Sequence, residues 1–177
     1  MVLRHYWRGG IVARFAADVY VWTGRERTRP FREWRLLAHL RDLGLPVSAP
    51  VAARARRHGP WYRADLITAA IPGARPLAER LASGQLPPEA WQRVGEVIAQ
   101  CHAAGACHAD LNARNILLDE QDSPWIIDWD QSSLRVPRAR WQQANLDRLW
   151  RSLAKHPVLD AAANPGWEHL LAGYRSA

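Results

Sequence analysis

Lysine is almost missing from this chain. Lys155 is the only one among 177 residues, so the formal charge of +7 rests on arginine, and the sequence pI is near 10.4. Arginine offers phosphate and carboxylate a planar, bidentate fork. This favours an anionic partner: a nucleotide, a nucleic acid, a phosphorylated glycolipid or an acidic membrane surface. A bias of arginine over lysine on ordinary solvated faces accounts for many single positions equally well, so charge alone decides nothing. Cysteine is nearly as scarce. Cys101 and Cys107 lack the CxxC spacing of a metal site and any secretory context, which sets aside a disulfide framework and leaves both as small buried hydrophobes. Long apolar runs are missing too. Charges or prolines interrupt each one short of membrane-spanning length, and the first eight residues lack the apolar stretch of a secretion signal. A cytosolic protein, or one peripheral on a membrane, is expected. There is no internal repeat and no low-complexity tract, and the length suits one domain or two small lobes around a cleft.

What is present is an ordered succession of strand and helix signals. Residues 2–7 alternate as a strand, with Val2, Arg4 and Tyr6 on one face and Leu3, His5 and Trp7 on the other, before a turn at Gly9-Gly10. A basic connector over 23–29 leads to a helix opened by Thr28 and Pro30 and closed by Gly44 and Pro46, with Phe31, Trp34, Leu37 and Leu40 as its apolar stripe. Strands over 47–53 and 62–68 flank an Arg-His-Gly-Pro turn, and Ile71-Pro72-Gly73 then breaks the pattern as a hinge. Helices follow at 76–81 and 88–104, the second burying Trp91, Val94, Ile98 and Cys101 and stopping at Gly105. Strands at 116–118 and 125–127, joined by a polar turn over 119–123, precede a helix at 145–155. The ten tryptophans invite a single-strand stacking role, but Trp34, Trp91 and Trp150 recur at helical spacing with Leu and Val. Core packing explains those three, and no nucleic-acid partner is expected.

The chemistry concentrates in His108-Ala-Asp110-Leu-Asn-Ala-Arg-Asn115-Ile-Leu-Leu-Asp119, followed by Ile126-Ile127-Asp128-Trp129-Asp130. Phosphoryl transfer asks little covalent work of a protein: one carboxylate orients the attacking hydroxyl, and oxygen ligands hold the magnesium that neutralises the phosphates. Asp110 suits the first task, Asn115 and Asp128 the second. A loop carrying Asp110 into the strand at 116–118 leaves Asn115 at its end, and the antiparallel return brings Asp128 beside it. The Asp-to-Asn interval and the second acidic motif after the next strand follow the kinase catalytic-loop order. Turn formers capping a hairpin are the plainer explanation of His108, Asp110 and Asn115, but they do not account for the whole ordered set. His108 is assigned to bracing the loop rather than to proton transfer. Upstream, Arg4 on the first strand and Glu33 on the first helix are candidates for the strand–helix ion pair that clamps nucleotide phosphates, with arginine in the place of lysine. An exposed helix Glu and an unrelated strand Arg is the alternative. Arg25, Arg27, Arg29 and Arg32 make the densest basic run, either a solvated face or a site for substrate phosphates or acidic lipid headgroups.

With these residues in place the chain resembles the bacterial Kdo kinases (3-deoxy-D-manno-octulosonic acid kinases) of the lipopolysaccharide kinase group. The likeness rests on Leu3-Arg-His-Tyr-Trp-Arg-Gly-Gly10, Thr28-Arg-Pro-Phe-Arg-Glu33, Gly44-Leu-Pro-Val, Pro50-Val-Ala-Ala-Arg54, Tyr62-Arg-Ala-Asp-Leu66, His108 to Asp119, and Trp141-Gln-Gln-Ala-Asn-Leu-Asp-Arg148. It implies an α+β, protein-kinase-like, two-lobed fold. Residues 1–70 would form a truncated sheet lobe and 71–177 a mainly helical lobe carrying the catalytic loop and metal motif. It implies ATP and Mg2+ as cofactors, Asp110 as the catalytic carboxylate, and phosphorylation of a Kdo hydroxyl, the 4-hydroxyl, on a lipid A precursor by an enzyme peripheral on the cytoplasmic face of the inner membrane. ATP is expected between the lobes, its adenine against the backbone near Thr68 and Ala70. The glycine-rich hairpin that covers the phosphates in kinases belongs before the strand bearing Arg4 and is expected upstream of Met1. Other small-metabolite or aminoglycoside-type phosphotransferases share the Asp-to-Asn loop. A pseudokinase or basic binding module is the non-catalytic alternative.

Overall fold

Alternation along two strands sets the direction in which Arg4 points. In the computed structural model, which describes residues 1–6, 20–84, 86–155 and 165–177, β1 (Val2–His5) pairs antiparallel with β4 (Trp61–Thr68), Val2 opposite Thr68 and Arg4 opposite Leu66. Residues directly opposite share a face. Val2, Arg4, Leu66 and Thr68 therefore look toward the rest of the molecule, whereas Leu3, His5, Asp65 and Ile67 look outward. Tyr6 continues this pattern through its N–H bond to the Ala64 carbonyl and is buried. β3 (Pro50–His58) lines the other edge of β4, and the short β2 (Tyr20–Val21) shares the β1 edge at the far end of β4. The turn expected at Gly9-Gly10 lies outside the described residues.

A 3-10 turn (Arg25–Arg27) leads through Thr28 into α1 (Arg29–Asp42), with Pro30 in its first turn, where a missing N–H costs nothing. Leu36, Leu37 and Leu40 are buried as α1 packs on β3 and β4. The stripe is rotated from the one expected. Phe31 and Trp34 are half-buried, while Glu33 takes an inward position, because charged partners await it there.

The second half is mainly helical: α2 (Leu77–Ser83), α3 (Pro88–Ala103), α4 (Ala139–Ala154) and α5 (Pro165–Ser176). The α3 and α5 helices meet backbone to backbone. A Cβ on Gly95 would lie 2.0 Å from the Leu170 carbonyl oxygen, and one on Gly173 2.1 Å from that of Gln92, so only glycine permits this approach. Between the helices lie β6 (Ala106–Cys107), paired with β9 (Ser133–Leu134), and the hairpin of β7 (Ile116–Leu118) and β8 (Pro124–Ile126), which β5 (Arg75–Pro76) extends. The hairpin turn is knit by Asp119, whose Oδ1 accepts from the Gln121 and Ser123 N–H groups and whose Oδ2 accepts from Trp125 Nε1.

The two halves are joined where the segment after α1 reaches the hairpin. Val47 forms a parallel bridge with Ile126, and the Ile126 N–H donates to the Pro46 carbonyl at 2.9 Å. One apolar core runs through the junction, from Leu37, Leu40 and Val47 to Ile116, Ile126 and Trp129. Full burial of each such side chain contributes roughly 1.5–3 kcal/mol.

Several boundaries differ from expectation. β3 starts at Pro50 and runs to His58, because the Ala-Arg alternation continues past Ala53. The helix expected over 145–155 begins at Ala139, its entry fixed by Trp141 Nε1 donating to the Val136 carbonyl. α5 and the two-residue strands β2, β5, β6 and β9 had no counterpart in the sequence reading. Cys101 and Cys107 are buried and free, and burial pushes the Cys101 thiol up to about 12.

Candidate active site

The loop between β6 and β7 owes its shape to a buried brace. His108 and Asn145 are both buried. The Asn145 amide, presented by α4, reads the His108 backbone on both sides: Oδ1 accepts from its N–H at 3.2 Å, and Nδ2 donates to its carbonyl at 3.0 Å. The His108 ring is bound through both nitrogens. Nε2 donates to the Ile127 carbonyl at 3.0 Å, and Nδ1 accepts from the Asp110 N–H at 3.1 Å. A backbone donor facing Nδ1 requires that nitrogen to be unprotonated, so the ring is neutral with its proton on Nε2. Burial lowers its pKa below the ordinary histidine value, against the opposing pull of the Ile127 carbonyl and of Asp128 and Asp110. The ring also packs edge-on against buried Trp129, with centroids 4.7 Å apart. Neither nitrogen is available to a substrate.

Asp110 stands next to this brace but faces solvent, its side chain 61% exposed. Arg148 of α4 donates to Oδ1 at 3.0 Å, and Asn112 Nδ2 donates to Oδ2 at 3.1 Å. Asn112 also folds the loop: its Oδ1 accepts from the Arg114 and Asn115 N–H groups. Asn115 Nδ2 donates to the Asp110 carbonyl at 2.9 Å, and its own carbonyl accepts from the Ile127 N–H at 2.9 Å. The loop and the returning strand are thereby tied together, with Asp128 one residue beyond that bond. Asp110 opens onto a groove of about 1120 Å³ between the loop, α2 and α4.

Asp128 adopts a left-handed backbone, φ 61, which Asp tolerates better than most residues. This conformation turns its carboxylate outward while Trp129 plunges inward and donates from Nε1 to the Ile126 carbonyl. Arg4 meets that carboxylate from the sheet side: Nη1 pairs with Asp128 Oδ1, and Nη2 with Glu33 Oε2 at 2.5 Å. The Tyr6 hydroxyl donates to the same Glu33 oxygen at 2.5 Å. Burial pushes the Glu33 carboxyl up, opposed by Arg4 and by the Tyr6 bond. Burial also opposes the charge on Arg4, but Glu33, Tyr6 and Asp128 outweigh it and its pKa rises. The strand–helix pair expected of Arg4 and Glu33 therefore forms, and it extends to Asp128.

A second ion pair was not anticipated. Arg29, one turn before Glu33 on α1, pairs with Asp130, with Nε 2.9 Å from Oδ1, and donates from Nη1 to the Tyr20 hydroxyl at 2.8 Å. The two acidic residues that flank Trp129 are thus held from different elements, Asp128 by Arg4 of β1 and Asp130 by Arg29 of α1. This splits the basic run: Arg29 turns inward, whereas Arg25, Arg27 and Arg32 remain exposed. Asn145, Arg148 and Asp130 lay within or beside motifs visible in the sequence, but no spacing rule gave them a role. Tyr174 and His102 extend the brace, with His102 linking the Tyr174 hydroxyl (2.8 Å) to Asn145 Oδ1 (3.4 Å). Thr68 closes β4 opposite Val2, on the face that Arg4 shares, and Ala70 lies exposed in the connection that follows.

Among the described residues no group of three or more His, Cys, Asp or Glu side chains is placed to hold a metal ion. Asn115 and Asp128 offer one amide oxygen and one carboxylate. Because Asn115 Nδ2 is committed to the Asp110 carbonyl, its Oδ1 is turned away from that bond. Such a pair fits Mg2+, which keeps waters and binds through one or two protein oxygens plus substrate phosphates.

The family model of the lipopolysaccharide kinase (Kdo/WaaP) family matches residues 1–174. The chain is 48% identical over 155 residues to a 3-deoxy-D-manno-octulosonic acid kinase of Stenotrophomonas maltophilia (strain K279a), covering 87% of this chain and 61% of the relative. It is 44% identical over 153 residues to one of Vibrio cholerae (86% and 65%) and 47% identical over 155 residues to one of Xanthomonas axonopodis pv. citri (87% and 61%). The chain therefore spans about three-fifths of the length of the curated relatives it matches. With this agreement across nearly all its residues, and with a kinase-like α+β architecture, the chain belongs to the lipopolysaccharide kinase (Kdo/WaaP) family.

Proposed function

We propose that this chain transfers the γ-phosphate of ATP to a hydroxyl of a 3-deoxy-D-manno-octulosonic acid residue on a lipid A precursor, the 4-hydroxyl by family likeness. One observation carries this reading. A solvent-facing Asp110 and the Asn115–Asp128 pair are tied into one unit by the Asn115 bonds, and the Arg4–Glu33 pair reaches that unit from the sheet. Asp110 orients the acceptor hydroxyl and takes its proton as the oxygen bonds to the γ-phosphorus. The bond from that phosphorus to the β–γ bridging oxygen breaks, and ADP leaves. Arg148 and Asn112 hold the Asp110 carboxylate in place, and His108 fixes the loop without exchanging a proton. Arg4, with Nη2 kept on Glu33, would turn the Nη1 that now pairs with Asp128 toward the phosphates, and the adenine would rest against the backbone near Thr68 and Ala70. Mg2+ at Asn115 and Asp128 would supply charge neutralisation for the phosphate oxygens.

A peripheral position on the cytoplasmic face of the inner membrane is part of the proposal. The family's lipopolysaccharide acceptor and the exposed Arg25, Arg27 and Arg32 support it, and no described helix is long and apolar enough to cross a membrane. The test is phosphate transfer from labelled ATP to a Kdo-bearing lipid A precursor, with aminoglycosides as competing acceptors. Magnesium-dependent labelling of the Kdo residue is expected. Faster labelling of an aminoglycoside, or none of the Kdo acceptor, would overturn the reading.

A further inference from the structure

The groove beside Asp110 carries more positive charge than the proton-accepting carboxylate needs. Its cations are Arg114 on the loop, Arg148 and Arg151 on α4, and Lys155 at the end of α4. Arg148 is committed to Asp110. Glu79, the other acid in the wall, lies 3.8 Å from Arg75. Among the described residues no carboxylate comes within ion-pair distance of Arg114, Arg151 or Lys155.

Position makes these three a set. Arg148, Arg151 and Lys155 follow at helical spacing along one face of α4. That face is fastened to the loop by Ser152, whose Oγ accepts from the Ala113 N–H at 3.1 Å, and the Ala113 carbonyl in turn accepts from the Ala78 N–H at 3.0 Å. The opposite wall is Ala78 and Ala82, small side chains that leave the space open. Cations at a helix C-terminus are also favoured by the helix dipole, which would account for Arg151 and Lys155. It does not account for Arg114, which arrives from the loop. A cavity of about 1120 Å³ is larger than one sugar ring needs and suits a glycolipid head bearing acidic groups.

We infer that Arg114, Arg151 and Lys155 form an oxyanion subsite that holds an acidic group of the acceptor, a carboxylate or a phosphate, and so places the reacting hydroxyl at Asp110. The inference rests on the phosphotransfer reading above and adds to it the residues that select an anionic acceptor. It also predicts that a neutral sugar binds more weakly, because the exposed Arg114, Arg151 and Lys155 gain a counter-charge only from an acidic acceptor.

The test is calorimetric binding of three probes to the folded chain in the presence of a non-hydrolysable ATP analogue. The probes are the free octulosonic acid, its carboxamide, and a sugar phosphate without a carboxylate. The wild type should bind the acid roughly tenfold tighter than the amide, and the difference should shrink with added salt. In Arg114→Ala/Arg151→Ala that preference should vanish, and in Arg114→Lys/Arg151→Lys it should be partly retained, with nucleotide affinity as the control for folding. A sugar phosphate that binds as tightly as the acid would assign the subsite to phosphate, and weak binding would assign it to carboxylate. Equal binding of acid and amide by the wild type overturns the inference if the sugar phosphate is also no tighter. So does a preference that survives in the double alanine variant. Phosphate transfer is measured on the same protein preparations with labelled ATP in place of the analogue. Acid-selective binding without transfer would keep the subsite and remove the kinase reading, whereas transfer without acid selectivity would do the reverse.

Discussion

His108 and Asp110 are two residues apart and live in opposite surroundings. His108 is 2% exposed with both ring nitrogens bound to main chain, whereas the Asp110 side chain is 61% exposed. The hairpin repeats the contrast: Trp129 is 1% exposed, and the neighbouring Asp128 side chain is 45% exposed. Both segments bury a ring to fix the backbone and turn a carboxylate outward from it. Polar groups in the interior are costly unless satisfied, so the interior set is complete and rigid. The outer carboxylates have partners, Arg148 and Arg4, that a ligand could share or displace. In the proposed reaction the brace sets where the chemistry happens, and the rim performs it.

Substitutions can break this division from either side. The largest stability effect is expected in the brace. Asn145→Leu strands the His108 N–H and carbonyl and should cost about 3 kcal/mol in urea denaturation. A loss under about 0.5 kcal/mol, the size of an ordinary surface change, would show that the brace is dispensable. On the rim, Asp128→Ala should weaken magnesium-dependent ATP binding on the order of 100-fold, with a stability cost of about 1 kcal/mol from alanine at positive φ. Calorimetry showing unchanged affinity would detach Asp128 from the metal.

Acid should attack the brace next. Burial drives His102 down to about 4 and also lowers His108. Below the ordinary histidine pKa of about 6.5 the unfolded chain takes up protons that the folded one refuses. Stability is therefore full above about pH 6.5 and falls as the pH drops toward about 4. His102 alone should remove about 2 kcal/mol between pH 7 and pH 5. His102→Gln, which keeps a hydrogen-bonding side chain without the titration, should flatten that slope. A wild-type profile already flat over this range would contradict the burial assigned here. The smallest effect concerns α1. A double-mutant cycle of Arg29→Ala and Asp130→Ala should give a coupling of about 1 kcal/mol, and additive losses would mean that Arg29 and Asp130 do not act as a pair.

Much of the site was readable because its spacing is local. Asp110, Asn115 and Asp128 lie on one loop and one hairpin, and period-2 alternation placed Arg4 on the face that meets Glu33. What was not readable depends on distant segments. Arg148 and Asn145 reach the loop from α4, and Arg29 reaches Asp130 across a hundred residues of chain. No periodicity encodes such meetings. The rotation of α1 is the clearest case. Leucine and aromatic spacing pointed to Phe31 and Trp34, but Arg4 and Tyr6 give Glu33 partners inside and turn the helix toward them. The two-residue strands β2, β5, β6 and β9 are too short to show alternation, and β3 outran its expected end because arginine alternating with alanine is a weak apolar signal.

The central claim is that Asp110, held by Arg148 and Asn112 at the edge of the groove, accepts the proton of the attacking hydroxyl. Single-turnover transfer from labelled ATP to a Kdo-bearing acceptor, compared between the wild type and Asp110→Asn, tests it most directly. The account predicts a fall in transfer rate on the order of 1,000-fold with ATP affinity and thermal stability retained. Transfer at the wild-type rate by Asp110→Asn would contradict it.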